Sequence, residues 1–273
     1  MDLIRKAIPI KDTDIDACIN QFDFKNKNKH LIPHELFTKK HRQWIGNSKQ
    51  FKINFDFNHA YVTYGVTDAF SDFYFQHKKI QVLTGEYNYH KDLGIKELDH
   101  IGEIEPYSAL IISYPFSATG SEHPDWKNII EVCEACHVSV FLDVCFFGVA
   151  YDLDLSVPEC VTHVAFSFSK MFDTACYRTG VLYTRYKKLT PISNQNLYYY
   201  HNHLGAQIHN QIMNNFDCDY LTNKHKHKHV EICDAKGIDV TNTLLFGTSN
   251  EEKWNLFERG ITNRMCLSHM FSA

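Results

Sequence analysis

Residues 163–170 read His-Val-Ala-Phe-Ser-Phe-Ser-Lys, a short apolar run that ends in Ser167-Phe168-Ser169-Lys170. The run has the length and composition of a buried β-strand. A lysine directly beyond such a strand is poorly hydrated, and the loss of hydration lowers its pKa toward that of a nucleophilic amine. The stretch therefore predicts that Lys170 is a chemically active amine of the kind that Schiff-base chemistry requires.

Further short apolar runs lie on both sides of this stretch and alternate with amphipathic ones, which is the pattern of βαβ units. Apolar residues recur with helical spacing over Trp126–Cys133, which predicts a crossover helix between two strands. We therefore expect an α/β fold, with a mostly parallel sheet and helices on both of its faces. The candidate strands are Ile80–Thr84, Ala109–Ser113, Val138–Leu142, His163–Ser167 and Gly180–Thr184.

The chain divides into three predicted regions. Residues 1–50 are polar and rich in lysine, and we interpret them as an N-terminal arm with a helix over 33–44. Residues 51–215 carry the α/β pattern and form the predicted large domain, which ends in a helix over 193–215. Residues 216–273 are expected to form a reduced C-terminal α+β domain.

The C-terminal region begins with an alternation of histidine and lysine over residues 225–229. Three alternating histidines could hold a metal ion such as zinc or nickel. The interleaved lysines favour a solvated loop instead, so we predict no metal site there.

Composition excludes several classes of protein. The 273 residues are 44% apolar and 22% charged, with a formal charge of −4, so a disordered chain is excluded and a nucleic-acid partner is not expected. The longest apolar run, Val138–Tyr151, is interrupted by Asp143 and is shorter than the roughly 20 residues that span a bilayer. We expect a soluble protein without a secretory signal, and the odd count of nine cysteines favours the reducing cytoplasm.

A second chemical signal is the sequence Leu142-Asp143-Val144-Cys145-Phe146. It places the Asp143 carboxylate at the C-terminal end of a buried strand, where open α/β sheets bind their ligands. A buried carboxylate there needs a cationic partner.

These segments, in this order, resemble the fold-type I pyridoxal-phosphate-dependent enzymes, specifically the class I/II aminotransferase family. Residues 114–120, Tyr-Pro-Phe-Ser-Ala-Thr-Gly, are similar to the family's Asn-Pro-x-Asn-Pro-Thr-Gly turn. Residues 63–69 resemble the glycine turn that holds the cofactor phosphate, and residues 85–87 resemble the segment that stacks on the cofactor ring. Arg178 and Gly180, shortly after Lys170, complete the pattern.

The resemblance implies pyridoxal 5′-phosphate as the cofactor and gives each matching residue a role. Lys170 would be the Schiff-base lysine and catalytic residue, and Asp143 would pair with the protonated pyridine nitrogen. The other implied residues bind the cofactor or the substrate: Ser167, Arg178 and the backbone of Tyr64, Gly65 and Val66 for the phosphate, Tyr87 for the ring, Ser117 near the 3′-oxygen, and Arg264 for the substrate carboxylate. Ser117 and Phe146 depart from the family's asparagine and tyrosine at those positions.

The function implied by the resemblance is amino-group transfer between an amino acid and a 2-oxo acid. Two alternatives stay open: a pyridoxal-phosphate-dependent lyase, cyclase or decarboxylase, and a dimer that binds the cofactor without catalysis. The family also implies a homodimer, because both subunits line each cofactor pocket.

Overall fold

The computed structural model describes residues 3–25 and 31–271. Parts of the predicted N-terminal arm, including Lys27 and Lys29, lie outside these residues. The described α-helices are α1 (Thr13–Asn20), α2 (His34–Gly46), α3 (Val66–Gln76), α4 (Asn88–Asp92), α5 (Trp126–Ala135), α6 (Pro191–Leu197), α7 (His203–Asn215) and α8 (Tyr220–Lys236). The described strands are β1 (Phe51–Asn54), β2 (His59–Thr63), β3 (Ile80–Leu83), β4 (Lys96–Leu98), β5 (Ala109–Ser113), β6 (Ser139–Asp143), β7 (Leu153–Ser156), β8 (Val161–Ser167), β9 (Gly180–Thr184), β10 (Asp239–Val240), β11 (Phe246–Ser249), β12 (Glu258–Arg259) and β13 (Thr262–Cys266).

The main sheet has the strand order β2-β9-β8-β6-β5-β3-β4 in the described residues. The pairs from β4 to β8 are parallel, and β9 is antiparallel to both of its neighbours. The mostly parallel α/β sheet predicted from the sequence is confirmed. Each of the five candidate strands is present, with ends that differ from the prediction by no more than two residues.

Helices cover both faces of this sheet. Along β5, Leu110 and Ile112 belong to the large apolar cluster that includes buried residues of α2, α5 and α7. Ala109 and Ile111 point to the other face and pack in the cluster formed with α3. This alternation follows from the two-residue period of a strand, and burial on both faces explains why β5 is apolar throughout.

The C-terminal region forms an antiparallel sheet in the order β10-β11-β13-β12. It adjoins the large domain, because Phe246 on β11 contacts Phe146 edge to face at 5.3 Å between ring centroids. Near the start of the chain, Ile4 forms an isolated antiparallel bridge with Cys266 on β13. Two short strands, β1 and β7, pair in parallel as a separate small sheet.

Two local predictions are wrong. The helix predicted over 193–215 is two helices, α6 and α7, and the loop predicted over 225–229 lies inside α8. In α8, His225, His229 and Cys233 are four residues apart and form a buried stripe on one face. The His229 ring is bonded at both nitrogens, to the Tyr151 hydroxyl and the Phe246 carbonyl, each at 2.7 Å. A histidine bonded in this way serves as a core residue, which a reading of polarity alone does not reveal.

No helix among residues 3–25 and 31–271 is long and apolar enough to cross a membrane.

Candidate active site

A cavity of about 780 Å³ lies at the carboxyl edge of the main sheet. The residues that end β5, β6 and β8, namely Ser113, Asp143 and Ser167, all line it. The N-terminus of α3 and the β12–β13 hairpin also contribute to its walls. The cavity therefore occupies the position where open α/β sheets bind ligands.

Lys170 lines the cavity just beyond β8. Its Nζ donates a hydrogen bond of 2.6 Å to the carbonyl oxygen of Ala7 in the N-terminal segment, residues 4–8. Burial lowers the pKa of the Lys170 amine, and this effect outweighs the opposing influence of Cys145. The amine is thus held in the cavity in a setting that favours its nucleophilic form.

Asp143 is buried at the end of β6, and its Oδ1 accepts a hydrogen bond of 2.9 Å from the Cys145 N–H. Burial, followed by the negative charge of Glu86, raises the pKa of Asp143 to about 7. No ion pair joins Asp143 to a cationic side chain in the part of the chain described by the structure. The carboxyl therefore lacks the positive partner that a buried acid requires.

Glu86 is a second buried acid beside Asp143. Its carboxylate accepts from the Ser113 N–H at 2.6 Å, from the Ser113 hydroxyl at 2.8 Å and from the Tyr87 N–H at 3.1 Å. These bonds tie the turn after β3 to the end of β5. Burial nevertheless raises the pKa of Glu86.

Arg178 joins three chain segments at one end of the cavity. Its guanidinium donates to the Thr67 hydroxyl at 2.7 Å and to the Ser169 hydroxyl at 3.4 Å. Gly65, at the start of α3, has φ of +82°, and a Cβ built there would lie 2.9 Å from Arg178 Nη2. A guanidinium, two hydroxyls and a helix N-terminus converge here, and such a set binds phosphate well.

Tyr87 and Ser117 also line the cavity. The ring of Tyr87 is 45% exposed and stacks on Tyr89 with 5.8 Å between centroids. The Ser117 N–H donates to the Ser113 hydroxyl at 2.8 Å, which fixes the turn after β5. Phe146 lines the cavity as well and offers it an apolar ring.

Arg264 enters the cavity from β13 and is only 5% exposed. Its guanidinium donates to the carbonyl oxygens of Ser117 and, at 3.4 Å, Arg5, and it lies 4.2 Å from the centre of the Phe246 ring. Burial lowers the pKa of Arg264 to about 9. The tail of the chain thus brings a buried cation to the cavity.

The structure brings most of the predicted site residues together. Eight of them line the cavity: Lys170, Asp143, Val66, Tyr87, Ser117, Ser167, Arg178 and Arg264. Tyr64 and Gly65 do not line it. The Tyr64 N–H donates to Asp68 at 3.0 Å, and its side chain is exposed, while Gly65 acts through its close approach to Arg178.

Several cavity residues were not found by sequence reasoning. Thr67 lies next to the predicted Val66, and Ser169 lies next to the predicted Lys170. Their hydroxyls accept from Arg178, and hydroxyl residues so close to predicted site positions were a signal in the sequence. Arg259 and the N-terminal residues Arg5 and Lys6 reach the cavity only because the hairpin and the first segment fold over it. No group of three or more potential metal ligands lies close together within residues 3–25 and 31–271.

No protein-family profile matches the chain, and no curated protein matches it by sequence. Its fold matches many solved structures. A pyridoxal-phosphate-bound C-S lyase from Staphylococcus hominis matches with a TM-score of 0.68 and 11% identity, over 98% of this chain and 84% of the lyase. N-succinyldiaminopimelate aminotransferase from Mycobacterium tuberculosis matches with a TM-score of 0.64 and 14% identity, over 90% and 76% of the two chains.

Aminotransferase AspB from Helicobacter pylori matches with a TM-score of 0.65 and 13% identity, over 96% of this chain and 87% of that one. At such low identity the likeness establishes the fold and leaves the reaction open. The resemblance predicted from the sequence is thereby confirmed: the chain has the fold of the fold-type I pyridoxal-phosphate-dependent aminotransferases and lyases.

Proposed function

We propose that the chain binds pyridoxal 5′-phosphate and transfers an amino group between an amino acid and a 2-oxo acid. One observation carries this proposal: Asp143, at the end of β6, lines a single cavity together with Lys170 and Arg178, which both lie between β8 and β9. An amine, an acid and a phosphate-binding cation are the three groups that hold this cofactor in the fold that the chain shares.

The residues at both ends of the cavity fit the cofactor. Arg178, Thr67 and Ser169 would hold the phosphate, and Gly65 leaves the room that the guanidinium needs. Asp143 has no cationic partner of its own, so a protonated ring nitrogen would supply the missing charge. When bound, pyridoxal phosphate supplies an electron-accepting ring that stabilises negative charge at the substrate Cα.

The remaining steps belong to side chains of this protein. The Lys170 amine would attach the cofactor covalently and, once released, would move the proton at the substrate Cα. Asp143 would keep the ring nitrogen protonated, and the Tyr87 ring would be the residue that packs on the ring. Arg264 holds the substrate α-carboxylate, since it brings a buried guanidinium to the cavity.

The test of cofactor binding uses the purified protein with added pyridoxal phosphate. Borohydride reduction followed by peptide mass analysis should place the cofactor on Lys170, and Lys170→Ala should carry none. Lys91→Ala is the matched control, because Lys91 also lines the cavity but pairs with Glu97 at 2.9 Å. A label on any other lysine would overturn the proposal.

The reaction is tested by a half-reaction with single amino acids. An aminotransferase converts the bound cofactor stoichiometrically to pyridoxamine phosphate, whereas a lyase releases its product and leaves the cofactor unchanged. The lyase alternative is supported by the C-S lyase from Staphylococcus hominis, which has the same fold. A holoprotein that responds to no amino acid would instead support a cofactor-binding dimer without catalysis.

We further propose a homodimer. An exposed aromatic run is formed by Tyr198, Tyr199 and Tyr200. It lies near the start of α3, because the Tyr64 hydroxyl donates to the Tyr200 carbonyl oxygen at 3.4 Å. Exposed aromatic side chains in one patch are typical of protein interfaces. Light scattering that gives the mass of one chain for the holoprotein would contradict this proposal.

Two other proposals concern organisation and compartment. Residues 216–273 would act as the reduced small domain that carries Arg264, and residues 1–50 as an arm over the large domain of residues 51–215. The cytoplasm is proposed as the compartment, since the nine cysteines of the chain are free thiols.

A further inference from the structure

Two buried acids, Glu86 and Asp143, meet where β5 and β6 end. Asp143 is the last residue of β6, and its partner across the parallel β5–β6 ladder is Ser113, the last residue of β5. The Glu86 carboxylate accepts from the Ser113 N–H at 2.6 Å and from the Ser113 hydroxyl at 2.8 Å. Neighbouring strands lie about 4.8 Å apart, so Glu86 binds the residue directly beside Asp143. The two acids are only 3% and 5% exposed, so their charges are poorly screened by water.

The members of this acid pair, Glu86 and Asp143, receive different sets of hydrogen-bond donors. Glu86 accepts from the N–H and the hydroxyl of Ser113 and from the Tyr87 N–H at 3.1 Å. The bonds to the Asp143 carboxyl within the described residues come from Cys145, through its N–H at 2.9 Å and its thiol. Bonds donated to a carboxylate favour its ionised form. Glu86 is therefore the member that carries the negative charge.

The positive charges near the acid pair lie on the Glu86 side. Arg259 Nη2 donates to the Glu86 carbonyl oxygen at 2.8 Å, and Arg264 interacts electrostatically with the Glu86 carboxylate. Burial raises the pKa of Glu86, and the charge of Arg259 opposes that rise. Burial and then the negative charge of Glu86 raise the pKa of Asp143 to about 7. The other titratable groups that interact with the acid pair are Cys145, Tyr87 and, through Cys145, Lys170.

We propose that Glu86 is a positioning residue of the cofactor site, whose fixed negative charge keeps a proton on Asp143 in the cofactor-free protein. This inference rests on the proposed function, in which Asp143 pairs with the protonated ring nitrogen. When the protonated ring binds, the acid proton of Asp143 leaves to solvent, and the carboxylate accepts a hydrogen bond from the ring N–H. Glu86 does not line the cavity, so it acts through Asp143, which its charge makes a stronger base toward the ring nitrogen.

The experiment counts the protons released when pyridoxal phosphate binds, by calorimetry in two buffers with different heats of ionisation. At about pH 6 the parent should release roughly half to one proton more than Glu86→Gln, because Asp143 ionises more readily beside an uncharged amide. The difference should shrink at about pH 8, where Asp143 is largely ionised in both proteins. Between about pH 5 and pH 7, cofactor affinity should accordingly rise more steeply in the parent, by up to about tenfold more per pH unit.

Two further variants separate the charge of Glu86 from its shape. Glu86→Asp keeps the charge and shortens the side chain, so its proton count should stay close to that of the parent. Asp99→Asn is the matched control, because Asp99 is an exposed acid that also lines the cavity, and this variant should release protons as the parent does. A purely structural role predicts the opposite order: Glu86→Gln, which keeps the length of the side chain, would match the parent, and Glu86→Asp would not.

Equal proton counts for the parent and Glu86→Gln at about pH 6 would overturn the inference. If Glu86→Gln does not fold, the parent count decides the matter, since a parent that releases no proton at about pH 6 has Asp143 already ionised beside Glu86. A protein that binds pyridoxal phosphate on Lys170 with equal counts contradicts this inference alone. A protein that fails to bind the cofactor contradicts the proposed function instead.

Discussion

Gly65 illustrates how one residue shapes the site, since its backbone has φ of +82° and ψ of −179°. Only glycine adopts this conformation readily, and any side chain would be strained there by about 1–3 kcal/mol. A Cβ would also meet the end of Arg178 at 2.9 Å. We therefore expect Gly65→Ala to destabilise the protein and to displace Arg178 from Thr67 and Ser169.

The displacement predicts a loss of pyridoxal-phosphate affinity of roughly tenfold, measured by equilibrium dialysis. Gly94→Ala is the matched control, because Gly94 has φ of +76° but no atom within 4 Å of its Cβ position. That variant should lose stability and keep its cofactor affinity. The same affinity in both variants would mean that Arg178 does not hold the phosphate.

Asp143 has a raised pKa, which makes the stability of the cofactor-free protein depend on pH. Its ordinary value is 3.8 and its folded value is about 7, so folding is favoured by the protonated acid. This contribution is complete below about pH 4 and is lost as the pH rises through 7. At 1.36 kcal/mol per pKa unit, the loss between pH 5 and pH 7 is about 2 kcal/mol.

Asp143→Asn should remove this contribution. From pH 5 to pH 7, the free energy of unfolding in urea should therefore fall by about 2 kcal/mol less in the variant than in the parent. Asp56→Asn, at an exposed position, controls for the loss of a carboxyl. Identical pH dependence in the parent and Asp143→Asn would show that the carboxyl is hydrated in solution.

At the scale of elements, the N-terminal segment, residues 4–8, contacts both Lys170 and β13. The carbonyl of Ala7 accepts from Lys170 Nζ at 2.6 Å, and the carbonyl of Ile4 accepts from the Cys266 N–H at 2.8 Å. Removing residues 1–8 should hydrate Lys170 and raise its pKa toward its ordinary value.

The truncation predicts a higher pH midpoint for labelling of Lys170 by an acylating reagent, since only the neutral amine reacts and the hydrated amine has the higher pKa. The rate is measured by mass spectrometry of the cofactor-free protein. Arg5→Ala retains the backbone contacts and should label like the parent. Unchanged labelling after truncation would indicate that the segment does not cover Lys170 in solution.

The elements also show what the sequence could and could not predict. The strands around Ser167 and Asp143 were predictable because burial on both faces makes them apolar over their whole length. Helix α8 was not, because its buried stripe includes His225 and His229 and carries little apolar contrast. Arg259 was missed because its place in the site depends on the hairpin fold and on no local pattern.

At the scale of the whole molecule, fold and sequence have diverged to different extents. Identities of 11–14% accompany TM-scores of 0.64–0.68 with the solved structures named above. A strand needs only an apolar side chain at each buried position, whereas Lys170 and Asp143 need a particular functional group. The fold was therefore readable from the strand ends, whereas the place of Arg259 in the cavity was not.

Buried histidines give the whole molecule its largest expected response to acid. Five of them, together with the half-buried His77, have a pKa lowered to about 3 or 4, chiefly by loss of hydration: His41, His77, His90, His163, His201 and His209. As the pH falls below 6.5, these histidines bind protons in the unfolded chain but stay neutral in the folded protein. Stability is thus present above pH 6.5 and is lost as the pH falls toward these lowered values.

His163 offers a direct test, since its ring is buried against Phe73 at 4.9 Å and stacked on Phe141 at 6.0 Å. His163→Phe keeps an aromatic ring and removes the titrating group, so the fall in unfolding free energy from pH 7 to pH 5 should shrink by about 2 kcal/mol. The same substitution at His227, which is 90% exposed, controls for the loss of a histidine as such. Parallel urea titrations of the parent and both variants decide the matter: if His163→Phe loses as much stability in acid as the parent, this ring accepts its proton without unfolding, and the acid sensitivity must come from the other buried histidines.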